Sequence, residues 1–163
     1  MTHASDALYQ QIAEELGIAF EDEIRAGANY EVAVENDGEI WVSGQIPRMQ
    51  GKIVVTGRAG GEVSLEEARR ASQVSIMRAL AILRQSLGSL GRVKRVLRMT
   101  VYVQSAADFT MQSEVADAAS EILYKVFAPN GGGGHTRTSV GVYQLPKNAV
   151  VEIDLVAALN RVS

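Results

Sequence analysis

The stretch GGGGHTRTSVGVYQLPKNAVVEIDLVAA, residues 131–158 of a 163-residue chain, carries the two side chains with the clearest chemical use. Arg137 presents a planar guanidinium fork that pairs with both oxygens of a carboxylate. The glycines just before it let the backbone reach positions that side chains would block. Glu152 sits in VVEIDLVAA, where Val151, Ile153, Leu155 and Ala157 form one apolar strand face and Glu152 and Asp154 take the other. A carboxylate buried on such a face needs a partner or a role. Next to a substrate it can hold and deprotonate a water. On spacing alone, a strand-edge arginine after a surface loop and two solvated strand carboxylates account for the same residues. The glycine run is no phosphate loop, because no Lys-Ser pair follows and it opens a strand. A hairpin through Pro146–Lys147 would set Glu152 opposite about residue 141 and leave Arg137 roughly 13 Å further along. A site holding both then takes Arg137 from one subunit and Glu152 from the next.

Other constellations are sparser. The two histidines, His3 and His135, do not make a standard zinc site without organised carboxylates. His135, two residues before Arg137, is a candidate ligand contact, with a solvated loop histidine as the alternative. Ser43, Ser139 and Ser113 lack a histidine–acid relay, which argues against a serine hydrolase. Trp41 and Tyr30 read as core or interface residues, and the Tyr30 hydroxyl is available to orient a ligand.

Composition limits the function classes. Cysteine is absent, so disulfides, thiolate metal sites and cysteine nucleophiles are excluded. This fits a cytosolic address. Net charge is −3 and the pI about 5.4, so a polyanion finds at most the local patch Arg92, Lys94, Arg95 and Arg98. Residues 1–6 lack the basic start and apolar core of a signal peptide. No apolar run is long enough to span a bilayer.

These side chains must be positioned by ordinary elements. Leu8, Ile12 and Leu16 predict a helix over Ala7–Leu16, with Ser5 or Asp6 as cap and Gly17 as stop. Alternation in residues 30–44 around Asp37-Gly38 predicts a β-hairpin. Lys52–Gly57 predicts a third strand. Ser64 and Glu67 form a capping-box pattern opening the clearest helix, with Leu65, Ala68, Ser72, Ile76, Ala79, Leu83 and Leu87 on one face and Gly88 or Gly91 as stop. VLRMTVYVQS alternates as a strand. A second long helix runs over about Met111–Phe127, with Thr110 as cap and Val115, Ala118, Ile122 and Val126 inward. Two last strands, Thr138–Gln144 and Ala149–Ala158, are joined at LPKN. The order is a helix followed by β-β-β-α-β-α-β-β: one N-terminal helix and loop (1–27) and one α+β domain (28–160). Two helices cover one face of a six-stranded sheet. The other face, with Arg98, Thr100, Tyr102 and Gln104, predicts a subunit interface and a homo-oligomer.

VSGQIP (Val42–Pro47) and RTSVGVYQLPKNAVVEIDLVA (Arg137–Ala157) resemble the Rid, or YjgF-like, family of reactive intermediate deaminases, also labelled endoribonuclease L-PSP. The likeness runs from Ala28 through nearly the whole chain, including GKIVVTGRAGGEVSLEEARRAS and ADFTMQSEVADAASEIL. The N-terminal helix and the latter segment are similar to the longer branch of the family. The resemblance implies a chorismate-mutase-like α+β fold of mixed sheet and two helices, and a trimer with clefts between subunits. It implies hydrolysis of 2-imino acids and enamines to 2-keto acids and ammonia, with no metal or organic cofactor. Arg137 takes the place of the carboxylate-binding arginine and Glu152 that of the water-positioning glutamate. Tyr30, Ser43 and Gly44 match cleft residues. Ser139 stands where the well-characterised deaminases have cysteine, and Ser113 where they have asparagine. The glycine run and His135 replace a shorter loop. The implied partners are an imino or keto acid and further copies of the chain, with no membrane. The acidic pI and the missing acid–base histidine pair argue against nucleic acid and the ribonuclease label. A non-catalytic carboxylate-binding protein of the same fold is the alternative.

Overall fold

The reciprocal cap predicted at Ser64 is formed in the computed structural model, which describes residues 1–161. Ser64 Oγ accepts the Glu67 N–H at 3.1 Å, and Glu67 Oε2 accepts the Ser64 N–H at 2.8 Å. Two N–H groups that the first helical turn leaves without partners are thereby satisfied. Helix α2 (Leu65–Leu87) follows and ends at Gly88, whose φ of +81° suits glycine. Helix α3 (Gln112–Val126) buries Val115, Ala118, Ile122 and Val126, the predicted stripe. Its cap position is Met111 and no side chain closes it, so Thr110 does not serve as the cap.

Both helices lie on one face of a five-stranded mixed sheet. The strands are β1 (Ala33–Asn36), β2 (Glu39–Gln45), β5 (Val93–Gln104), β6 (Thr136–Val142) and β7 (Val151–Leu159), in the order β1-β2-β7-β5-β6. Asp37 and Gly38, at φ +49° and +79°, close the predicted β1–β2 hairpin. Strand β7 lies antiparallel to β2 and β5, while β6 runs parallel to β5. The sheet thus has five strands where six were predicted. Gln50 and Gly51 also have positive φ, and they turn the start of the expected third strand (Lys52–Gly57) onto the segment before it, so that β4 (Lys52–Ile53) pairs with β3 (Arg48–Met49) in a separate ribbon.

The last two strands form no hairpin with each other, because β5 lies between them. Gln104, predicted on the open face, is the post around which the crossing is built. Its side-chain oxygen accepts the Leu145 N–H at 2.7 Å, and its nitrogen donates to the Gly57 carbonyl at 2.8 Å and to Asn148 Oδ1 at 2.7 Å. That buried amide carries the connection 143–150 over the end of β5.

Helix α1 (Ala4–Leu16) starts earlier than predicted. His3 Nδ1 caps it by accepting the Ser5 N–H, while Ser5 and Asp6 lie inside the first turn. Tyr9, Ile12 and Ala13 are its buried face, with Leu8 and Leu16 at the margins. Asp6 anchors the helix by accepting from the Arg84 Nε, the Leu90 N–H and the Ser89 hydroxyl.

The opposite sheet face is uncovered. Val34 and Trp41 pair across β1 and β2 and are 51% and 55% exposed, large apolar groups on a face that also carries Tyr102, Glu152 and Asp154. In the basic patch Arg92 is paired with Glu35 at 3.2 Å, while Arg98 donates to the uncharged Thr138 hydroxyl and keeps its charge. No helix among the described residues is long and apolar enough to cross a membrane.

Candidate functional site

Glu152 lies in β7 opposite Tyr102. Strand alternation sends its neighbours Val151 and Ile153 under the helices and its own side chain to the open face. Its carboxylate presses on the backbone of Gly44. A β-carbon there would stand 2.7 Å from Glu152 Oε1, so any other residue displaces the carboxylate. The register of β2 against β7 slips between Val42 and Gln45, and this irregularity brings Gly44 under the carboxylate. Burial holds the Glu152 carboxyl above its ordinary value, and the neighbouring Asp154 charge adds to the effect. Asp154 itself accepts the Tyr102 hydroxyl at 3.2 Å.

Glu152 opens into a cleft of about 270 Å³ that Tyr30 and Gly44 also line. Its inner wall is Arg78, an arginine in the buried face of α2. Arg78 donates to Gln45 Oε1 at 3.1 Å, to both Glu21 oxygens at 2.7 and 3.3 Å, and to the Arg48 carbonyl. That hydrogen bonding pulls the Glu21 carboxyl below its usual value. Three further cations, Arg25, Arg48 and Lys147, line the same cleft, Arg25 being paired with Glu23. Lys147 sits at φ +58°, a left-handed conformation unusual outside glycine.

Arg137 stands elsewhere. It lies on β6 in register with Met99 of β5 and, beyond it, Leu155 of β7, both buried beneath the helices. It therefore shares their face, opposite to that of Glu152. Its fork is pinned to α3. Nη1 donates to Asp117 Oδ1 at 2.8 Å and to Ser120 Oγ at 3.1 Å, while Nη2 reaches the Ser113 carbonyl only at 3.4 Å. The Nη2 edge is the part left for a ligand. His135 turns inward behind it. Its Nδ1 lies 2.6 Å from the Gly133 carbonyl, which only accepts, so Nδ1 carries the proton. Nε2 is then an acceptor for the Ser120 hydroxyl at 2.9 Å. The chain His135–Ser120–Arg137 makes His135 a support for the guanidinium rather than a group facing the cleft.

The glycine run serves this cluster. Gly131 and Gly132 have φ of +98° and +105°, and Gly133 packs so closely on the Leu123 carbonyl and Tyr124 backbone that no side chain fits.

One protomer thus gathers Tyr30, Gly44 and Glu152 into one cleft, and Arg137, Ser113 and His135 into a second cluster. Ser139 lies on β6 two residues from Arg137 and in register with Val101. Ser43 adjoins Gly44, but its hydroxyl donates to the Glu31 carbonyl at 2.7 Å. Glu152 lies in register with Val140 through Tyr102, three residues along from Arg137 and two strands over, so the two are roughly 14 Å apart on opposite faces. Sequence reasoning missed Asp117, Ser120 and Arg78. The first two were readable as a polar 113–117–120 stripe along α3, and the third as one arginine inside IMRALAIL.

Comparison with known proteins agrees with this architecture. The family model described as "YjgF/chorismate mutase-like, putative endoribonuclease" matches residues 13–159. Protein TCP17 of Trypanosoma cruzi is 35% identical over 147 residues, 90% of this chain and 91% of that protein. The crystal structure of Atu1372 from Agrobacterium tumefaciens, a protein of unknown function, is similar with a TM-score of 0.85 and 33% identity, over 96% of this chain and 95% of that one. A Shewanella oneidensis structure called a "putative endoribonuclease" gives a TM-score of 0.83 at 25% identity, covering 93% and 99% of the two chains.

Proposed function

The chain belongs to the YjgF/chorismate mutase-like family, and we propose that it hydrolyses small 2-imino acids, or the enamines in equilibrium with them, to 2-keto acids and ammonia. The observation that carries the reading is Glu152: a half-buried carboxylate with a raised pKa, seated on Gly44 at the rim of a cleft that also holds Tyr30. A base of this kind takes a proton from water as the oxygen adds to the imine carbon. The same proton passes to nitrogen to give a carbinolamine; the hydroxyl proton then also moves to nitrogen as the C–N bond breaks, so ammonia leaves and the 2-keto acid remains. Imines hydrolyse readily, so positioning supplies most of the acceleration.

Arg137 holds the substrate carboxylate in this reading. Since it and Glu152 face opposite ways in one protomer, the site takes Arg137 from a neighbouring copy, and the uncovered face with Val34 and Trp41 supports such an assembly. A closed ring of three copies gives one complete cleft at each junction.

The test adds the protein to an amino-acid oxidase or a serine/threonine dehydratase reaction and follows keto-acid release. Release should quicken, and Arg137→Ala should remove the gain. No acceleration with any amino acid tried would eliminate the proposal.

Arg48 and Lys147 beside Glu152 favour one second reading, a binding protein for small carboxylates. Ligand-dependent melting shifts without turnover would select it. The ribonuclease reading loses support, because His3 caps α1 and both ring nitrogens of His135 are engaged.

A further inference from the structure

A second cleft, about 510 Å³, lies away from Glu152 where α1, the segment after it and the C-terminal end of α2 meet. It exists because α1 is tied down by Asp6 and because the Gln85 side chain clamps the segment from both sides, accepting the Ile24 N–H at 2.8 Å and donating to the Ile24 carbonyl at 2.9 Å. Its floor is apolar, with Ala13, Ile18 and Ile24.

Two donors on its wall are left unused. Tyr9 lines the cleft with only 6% of its surface exposed, and its hydroxyl makes no hydrogen bond to another described residue. Burial pushes that hydroxyl up to about 12, against the pull of Arg84, so it stays a donor. The Arg84 guanidinium stacks 4.9 Å from the Tyr9 ring centroid. Asp6 takes its Nε at 3.1 Å and fixes its direction, while neither Nη has a partner among the described residues. A rigid fork edge beside a free hydroxyl donor matches a carboxylate. The same cleft also carries acids. Asp22 is exposed and makes no ion pair among the described residues, whereas Glu21 beside it already has both oxygens on Arg78. An anion alone would leave Asp22 unpaired.

We infer that this cleft is a binding site for a free α-amino acid with an apolar side chain, separate from the Glu152 cleft. The carboxylate lies on Arg84 and the Tyr9 hydroxyl. The ammonium faces Asp22, and the side chain rests on Ala13, Ile18 and Ile24. The inference does not depend on the deaminase reading.

Calorimetric titration of the full chain with L-leucine tests it, with 4-methylpentanoate, the same skeleton without the ammonium, as comparison. Leucine should bind and 4-methylpentanoate should bind at least about tenfold more weakly. Tyr9→Phe keeps the ring under Arg84 and removes only the hydroxyl, and it should raise the leucine dissociation constant by about tenfold or more. Asp22→Asn should also weaken leucine, while Glu152→Gln and Arg137→Ala should leave it unchanged. Equal binding of 4-methylpentanoate would overturn the amino-acid assignment. Leucine binding that survives Tyr9→Phe but is lost in Glu152→Gln or Arg137→Ala would put the ligand in the other cleft and overturn the site. So would absence of leucine binding to the wild-type chain.

Discussion

Glu152 is a residue whose surroundings disfavour its charge, and that has consequences for stability as well as chemistry. Its folded pKa is raised, so the protein binds this proton more tightly when folded. The associated stability is present at low pH and lost as pH rises past the ordinary glutamate value of 4.5 toward the folded one. Glu152→Gln should therefore melt about as the wild type does at pH 4 and a few degrees higher at pH 8, while turnover falls by about 10²–10⁴. An equal or lower melting temperature at pH 8 would contradict the burial argument. Gly44 gives a cleaner handle on geometry. In Gly44→Ala the new β-carbon displaces the free end of the Glu152 side chain, which yields easily. Stability should hardly change, while kcat drops by about tenfold or more because the base is misplaced by an ångström or so. Scanning calorimetry beside steady-state kinetics checks both halves. Strand alternation made Glu152 legible in the sequence. It did not reveal that Asp117 and Ser120 hold Arg137, because those contacts join α3 to β6 across a loop of unknown course.

Elements were legible where local chemistry decides them. The Ser64–Glu67 cap, the Asp37-Gly38 turn and the stripe on α3 all formed as their residues indicated. Pairing was not legible where a distant side chain decides it. LPKN suits a hairpin and a crossing equally well, and the buried Gln104 amide selects the crossing. The glycine run shows the same limit. Its four residues look alike in sequence, yet they differ in what surrounds them. Gly133 lies against α3 backbone that cannot move aside, whereas Gly134 has only the Arg95 side chain near its would-be β-carbon, at 3.4 Å. Gly133→Ala should lower the melting temperature by about 5 °C or more and Gly134→Ala by about a degree at most. Similar shifts for the two would mean that the loop does not dock on α3 in this way.

At the scale of the whole molecule, the two halves of the proposed site face away from each other, which turns an oligomeric question into an enzymatic one. Helices α2 and α3 cover one sheet face, and the other leaves Val34 and Trp41 uncovered beside Glu152 and Tyr102. That imbalance was readable from the element count alone, since two helices cannot cover both faces of such a sheet. Which edge meets which face was not, because it depends on the strand order. With β6 at the sheet edge and β7 at its centre, Arg137 sits at the rim against α3 with its Nη2 edge left over, while Glu152 lies on the open face. A neighbour's rim can meet that face, whereas one chain cannot fold its own rim onto it. Arg137→Ala and Glu152→Gln chains should each be inactive when pure. If they are unfolded together and reassembled in equal amounts, a junction is intact when the arginine comes from a Glu152→Gln chain and the glutamate from an Arg137→Ala chain. Random assembly into closed rings makes about one junction in four intact, so about a quarter of wild-type activity should return. Mixing without reassembly should restore none. If reassembly also restores none, while light scattering shows that mixed oligomers have formed, then Arg137 and Glu152 do not meet across subunits.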